Sequence, residues 1–134
     1  MIFVDTNYFL RFFLGEPYDQ ATHVKTLFQK AARGDVELGT SVVVFFEVYW
    51  VASSFYQVDE EKIAEFLQNM LKMEFIRLEN RPILIEAVSL YRGMNFDLED
   101  AYNLAFARTS RAKEFATFDV KLKKKSLEIL KGTV

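Results

Sequence analysis

Cysteine is absent from the 134 residues. That excludes disulfides, thiolate metal sites and a cysteine nucleophile, and it fits a reducing compartment. Proline occurs twice and glycine five times, always as isolated residues. There is therefore no glycine-rich phosphate loop, no linker and no low-complexity tract. The single histidine, His23, has no Ser or Asp pattern around it that would suit a catalytic triad, and reads as a surface residue. No apolar run reaches the about 18 residues of a membrane span. The opening MIFVDTN lacks a basic stretch and carries Asp5, unlike a signal peptide. The expectation is a cytoplasmic protein with no membrane segment. Neither charge is in excess: 17 basic against 19 acidic residues leave a net charge of −2, which does not by itself mark a nucleic-acid binder.

What is abundant is hydrophobic side chain, 51% of the chain, with 14 Phe, 6 Tyr and 1 Trp. This excludes a disordered chain and predicts one domain over residues 1–134, burying roughly two-thirds of its unfolded surface. Such a supply exceeds what a small core needs, so a homodimer or a bound second protein is expected to cover part of it; an aromatic-heavy core is the alternative. The cluster Tyr8, Phe9, Phe12 and Phe13 reads as core plus interface rather than as a base-stacking platform.

Strand and helix signals alternate. MIFV is a short buried strand ending at Asp5, and TNYFLRFFLG a helix stopped by Gly15. YDQATHVKTLFQKAARGD is an amphipathic helix closing at Gly34, and VELG a brief extended piece. Residues 41–55 read as a helix capped by Ser41, despite their β-branched content. DEEKIAEFLQNMLK is a helix, EFIRL a strand and RPILIEAVSLYRGM a helix with Pro82 near its start. DLEDAYNLAFARTSRAK is a further helix, opened by an Asp-x-x-Asp that resembles a capping box. EFATF reads as a buried strand ending at Asp119, and LEIL as a final edge strand. Alternation of this kind predicts a three-layer α/β/α sandwich with a central, mostly parallel sheet.

In SVVVFFEVYWV, residues 41–51, one carboxylate stands among apolar side chains. As a helix, Glu47 shares its face with Val43, Val44, Trp50 and Val51. An isolated buried carboxylate costs roughly several kcal/mol unless it is protonated, paired or bound to a metal. Candidate companions exist. Asp5 and Asp119 each end an apolar strand, where parallel sheets gather ligands. Asp100 opens a helix on the face of Leu104 and Ala107, with Asp97 and Glu99 beside it as alternatives for the same role. Four carboxylates together repel one another unless a hard divalent cation joins them, and Mg²⁺ or Mn²⁺ suits an all-oxygen set. Such a site activates water and neutralises a phosphodiester, which points to phosphate-ester hydrolysis. The lysines of KLKKK (residues 121–125), with Lys121 and Lys123 as the named contacts, together with Arg108 and Arg111, are candidates to attract nucleic-acid phosphates; a solvated face or surface ion pairs are the alternative.

VDTN at residues 4–7, FFEV around Glu47, EDAYNLA around Asp100 and TFD ending at Asp119 resemble the acidic motifs of PIN-domain nucleases, in order and over essentially the whole chain. The likeness is nearest to single-domain toxins of the VapC type. The resemblance implies a Mg²⁺- or Mn²⁺-dependent endoribonuclease, a homodimer and a cognate antitoxin. It also implies that Asp5, Glu47, Asp100 and Asp119 are the metal-site acids. Thr6 and Asn7 would support Asp5 by hydrogen bonding. Thr117 would hold a water or a phosphate oxygen, with Asp97 at the rim. A catalytically silent PIN-like module that binds RNA or a protein is the alternative.

Overall fold

The computed structural model describes residues 1–131; the last three residues of the expected domain, 132–134, lie outside the described residues. The chain divides into two compact units, Met1–Asn80 and a second that starts at Arg81.

The first unit runs β1 (Ile2–Phe3), α1 (Thr6–Leu14), α2 (Tyr18–Ala32), β2 (Leu38–Gly39), α3 (Val42–Ser54), α4 (Glu60–Lys72) and β3 (Ile76–Arg77). The strands form a parallel sheet in the order β1-β2-β3, with Ile2 opposite Leu38 and Leu38 opposite Ile76. Each strand is followed by helix, which is the connection a parallel pair requires. The C-terminal end of β1 is closed by two contacts to the strand beside it. Val4 N–H donates to the Gly39 carbonyl at 2.8 Å, and the Thr40 hydroxyl donates to the Val4 carbonyl at 2.8 Å. Asp5 is the next residue, so this clasp fixes where its backbone emerges.

Local chemistry sets the helix limits. Gly15 takes a left-handed conformation, φ 73°, and donates its N–H to the Arg11 carbonyl, ending α1. Ser41 caps α3 by accepting from Val44 N–H, and Asp59 caps α4 by accepting from Lys62 N–H. In α4 the apolar residues Ile63, Phe66, Leu67 and Met70 recur at helical spacing and are buried. The core of this unit is aromatic. Phe28 of α2 lies against Phe9, Phe12 and Phe75, with ring centroids 5.8, 5.1 and 6.0 Å away. Phe13 stacks on Phe66 at 4.9 Å.

Glu47 departs from the expected burial. Val44, Phe45, Val48 and Ala52 form the buried stripe of α3, and Glu47 falls on its flank, half-exposed. Its neighbours Val43 and Trp50 are themselves exposed, 63% and 45%. An apolar run longer than a helix stripe is wide has to show some of its members to solvent.

The second unit contains α5 (Arg81–Gly93), α6 (Leu98–Thr109) and α7 (Val120–Ile129). Leu84, Ala87 and Val88 of α5 and Ala101, Leu104 and Ala105 of α6 are buried, and α5 packs on α6. Alanines on both helices permit close approach. The expected strand EFATF is not formed: residues 114–118 have no regular secondary structure, and Phe118 is fully exposed. A strand needs a ladder partner as well as an apolar run. Here Lys123 takes that place, its Nζ donating to the Phe115 carbonyl at 3.0 Å and reaching Glu114 at 3.3 Å. LEIL is also corrected, because residues 127–129 continue α7 and Leu122 and Ser126 supply its buried stripe.

Phe28→Ala is expected to destabilise the protein by about 3–5 kcal/mol, since it empties the centre of the aromatic core. Urea unfolding followed by circular dichroism measures this; a loss under about 1 kcal/mol would refute the ascribed role.

Candidate active site

Asp5 stands at the N-cap position of α1, with φ −86° and ψ 167°, yet its side chain accepts no capping hydrogen bond. It is exposed and has no side-chain hydrogen bond or ion pair to any described residue. The supporting hydrogen bonds expected from Thr6 and Asn7 are not formed. The Thr6 hydroxyl is buried without a partner, and Asn7 is exposed. Glu47, half-exposed on α3, likewise has no hydrogen bond or ion pair among the described residues.

In the second unit the acids crowd together. Asp97 is the N-cap residue of α6 but makes no side-chain capping bond, and Glu99 and Asp100 lie in the first turn. Asp119 is the N-cap residue of α7. Its Oδ1 accepts from Leu122 N–H at 2.9 Å, and its own N–H donates to Thr117 Oγ1 at 3.1 Å. The Thr117 oxygen is thus tied to the backbone of Asp119 and its hydroxyl proton is left to donate elsewhere. Desolvation at its half-buried position pushes the Asp100 carboxyl above the usual aspartate range, and the charges of Asp97, Asp119 and Glu99 push it further, in that order. The acids expected as alternatives, Asp97 at the N-cap and Glu99 in the first turn, therefore both act on Asp100, Asp97 more strongly.

Among the described residues, no group of three or more His, Asp or Glu side chains is drawn together as a metal-holding cluster. The donor chemistry still fits a hard divalent cation. The candidates are all carboxylate oxygens, two of them without a partner among the described residues, and burial and then the neighbouring acids raise the pKa of a third.

The basic candidates differ in their freedom. Arg108 pairs with Glu86 of α5, whose buried Oε1 has no other partner. Lys123 is committed to Glu114 and Phe115. Arg111 is exposed at a left-handed backbone position, φ 56°. The Lys121 ammonium lies 5.2 Å from the Phe96 ring centroid, and Lys124 projects into solvent without a partner.

The model of the PIN domain matches residues 2–127, a span that includes Asp5, Glu47, Asp100 and Asp119. The chain belongs to the PIN domain family. Its helix-rich α/β architecture with a small parallel sheet agrees with the PIN-like α/β/α class. The chain is similar to the VapC ribonuclease of Aquifex aeolicus (strain VF5), with 24% identity over 124 residues that cover 92% of this chain and 91% of that protein. No solved structure matches the chain.

Sequence reasoning took Lys124 only as part of the KLKKK run and passed over Phe96; the two flank Lys121 around a pocket of about 260 Å³. Neither carries a motif; only the return of residues 93–96 beside α7 brings them together.

Two predictions follow from the caps and charges. Asparagine caps a helix as well as aspartate does, so Asp119→Asn should keep stability within a few tenths of a kcal/mol, whereas Asp119→Ala should lose about 1 kcal/mol. Thermal melts of both variants check this. For Asp100, the folded state holds its proton more tightly than the unfolded chain. Its contribution to stability is therefore present below the ordinary aspartate value and is lost as pH rises through its raised pKa. Asp100→Asn should flatten that fall and raise Tm at neutral pH in EDTA. A lowered Tm would show that the crowding is not destabilising.

Proposed function

We propose that this PIN-domain chain is a metal-dependent endoribonuclease, the toxin of a toxin–antitoxin pair, acting as one domain over residues 1–134. The observation that carries the reading is the gathering of motif acids at the starts of α6 and α7, where burial, and then Asp97, Asp119 and Glu99, raise the Asp100 carboxyl above its ordinary range. The VapC ribonuclease relative, aligned over nearly the full length of both chains, supports the same direction. Asp5, Glu47, Asp100 and Asp119 would hold the cation, Mg²⁺ or Mn²⁺, with Asp97 at the rim. When bound, such an ion supplies activation of water and neutralisation of phosphate charge.

The chain's own residues do the rest. Thr117, tied to the Asp119 backbone, presents a hydroxyl proton beside the acids, which suits a hydrogen bond to a phosphate oxygen. Thr6 and Asn7 flank Asp5 and are available to orient it once ligand is present. Lys121, Arg111 and the unpartnered Lys124 attract the RNA backbone, whereas Lys123 and Arg108 act first as struts. A homodimer and a cognate antitoxin complete the proposal, in the cytoplasm. No helix among the described residues is long and apolar enough to cross a membrane.

The test is incubation of a total RNA pool with purified protein in Mg²⁺, in Mn²⁺ and in EDTA, beside Glu47→Gln. Discrete metal-dependent fragments are expected, with cleavage lowered by at least about a hundredfold in the variant. A folded, antitoxin-free protein that cleaves under no condition would instead be a binding module.

A further inference from the structure

The first unit contains a pocket of about 420 Å³ between α1 and α2 to which neither the acids nor the lysines contribute. Asn7, Tyr8 and Arg11 line it from α1, Arg11 lying four residues from Asn7 and three from Tyr8, the spacings that share a helix face. Gln20, His23 and Val24 line it from α2, with Asp19 beside them. These residues follow directly on Asp5. The α1 lining lies roughly 3–9 Å along the helix axis from it, by the rise per residue.

The chemistry of the lining is specific. Tyr8 and His23 meet edge to face, ring centroids 6.0 Å apart, and the Tyr8 hydroxyl lies 3.4 Å from His23 Nε2. Two side-chain amides, Asn7 and Gln20, each offer a donor and an acceptor. Arg11 is held from two sides: its Nε donates to Gln20 Oε1 at 2.7 Å and a terminal nitrogen donates to the Tyr56 hydroxyl at 3.1 Å. The one cationic side chain is balanced by Asp19. A phosphate would want a net positive wall, and an extended peptide would want an apolar trough. A neutral planar ring with polar edges suits two rings, two amides and a fixed guanidinium, and the volume lies in the range of a small-ligand site. Single-stranded RNA is read in just this manner, by stacking on aromatic or guanidinium planes and by hydrogen bonds to base edges.

We propose that this pocket receives a nucleobase of the RNA next to the scissile phosphate and sets the base preference of cleavage. The inference rests on the ribonuclease reading above, and names the part of the substrate that this chain discriminates. Tyr8 and His23 supply the faces, Asn7 and Gln20 read the edge, and Arg11 holds the far wall.

The experiment measures binding of four fluorescent homopentameric RNAs (A, C, G and U) in EDTA, by anisotropy, to the wild type and to Tyr8→Ala, Gln20→Ala and His23→Ala. The 5′ ends of fragments from total RNA are mapped in parallel with Mg²⁺. Gln20 and His23 are exposed, so their variants are expected to fold even where Tyr8→Ala does not. Expected is a wild-type preference for one pentamer that falls about tenfold in Tyr8→Ala and His23→Ala, as loss of one stacked base implies. Gln20→Ala should broaden the base found at the cut. If wild type cleaves and all three variants keep its preference and its cut positions, the pocket does not read a base and is open to another ligand such as a polypeptide, while the nuclease reading stands. If wild type neither binds nor cleaves RNA, the nuclease reading fails and this inference fails with it.

Discussion

Repulsion among the carboxylates at the starts of α6 and α7 is the constraint around which the second unit is arranged. Desolvation by burial raises Asp100, and the charges of Asp97, Asp119 and Glu99 raise it further. Partial relief comes from the helix itself, because first-turn acids gain about 0.3–1 kcal/mol from the macrodipole. The remainder is held in place by packing. Ala101, Leu104 and Ala105 fix the inner face of α6 with almost no exposure. The Lys123 ammonium and the Thr117 hydroxyl pin the irregular segment that delivers Asp119. A polypeptide that keeps such repulsion inside a well-packed frame is suited to receive positive charge from outside.

The cations show the complementary pattern. Lys121, Lys123 and Lys124 lie in the first half of α7, with Lys125 next in line, and the helix dipole disfavours positive charge in the first turn. Glu114 and Glu128 balance two of them, and the Phe96 ring and the Asn95 carbonyl receive Lys121. Lys124 has no partner among the described residues. Departures from local charge rules are expected where a ligand rather than the fold is the beneficiary. They support the proposed RNA contact from the opposite sign of charge.

Much of this was legible in the sequence where the signal is local. Ser41 as a cap, Gly15 as a stop and the helical spacing of α4 all read correctly from a few neighbouring residues. The failures share one cause, dependence on partners distant in the chain. EFATF has the composition of a strand but no ladder neighbour, so a lysine and a threonine hold it instead. LEIL is too short an apolar run to override the helix already propagating from Asp119. Glu47 looked buried because the run around it is apolar, yet helical geometry leaves one flank of any such run in water. The α1–α2 pocket was invisible for the same reason: it needs Asn7, Tyr8 and Arg11 to meet Gln20 and His23, and neither stripe announces a site alone.

The caps themselves give the sharpest argument that the acids are not simply structural. Asp5, Asp97, Asp59 and Asp119 all stand at N-cap positions with extended backbone, the first three at ψ 157–167° and Asp119 at 112°. Asp59, outside every acidic motif, accepts its capping hydrogen bond, as does Ser41. Asp5 and Asp97 do not, and each leaves unused an interaction worth about 0.5–2 kcal/mol. Asp119 caps with one oxygen and keeps the other free of the helix. Capping therefore accounts for Asp59 in full, for Asp119 in half, and for Asp5 and Asp97 not at all. The unused oxygens belong to the motif residues, and the satisfied ones to the scaffold, which is the division expected if the motif acids answer to a ligand rather than to their helices.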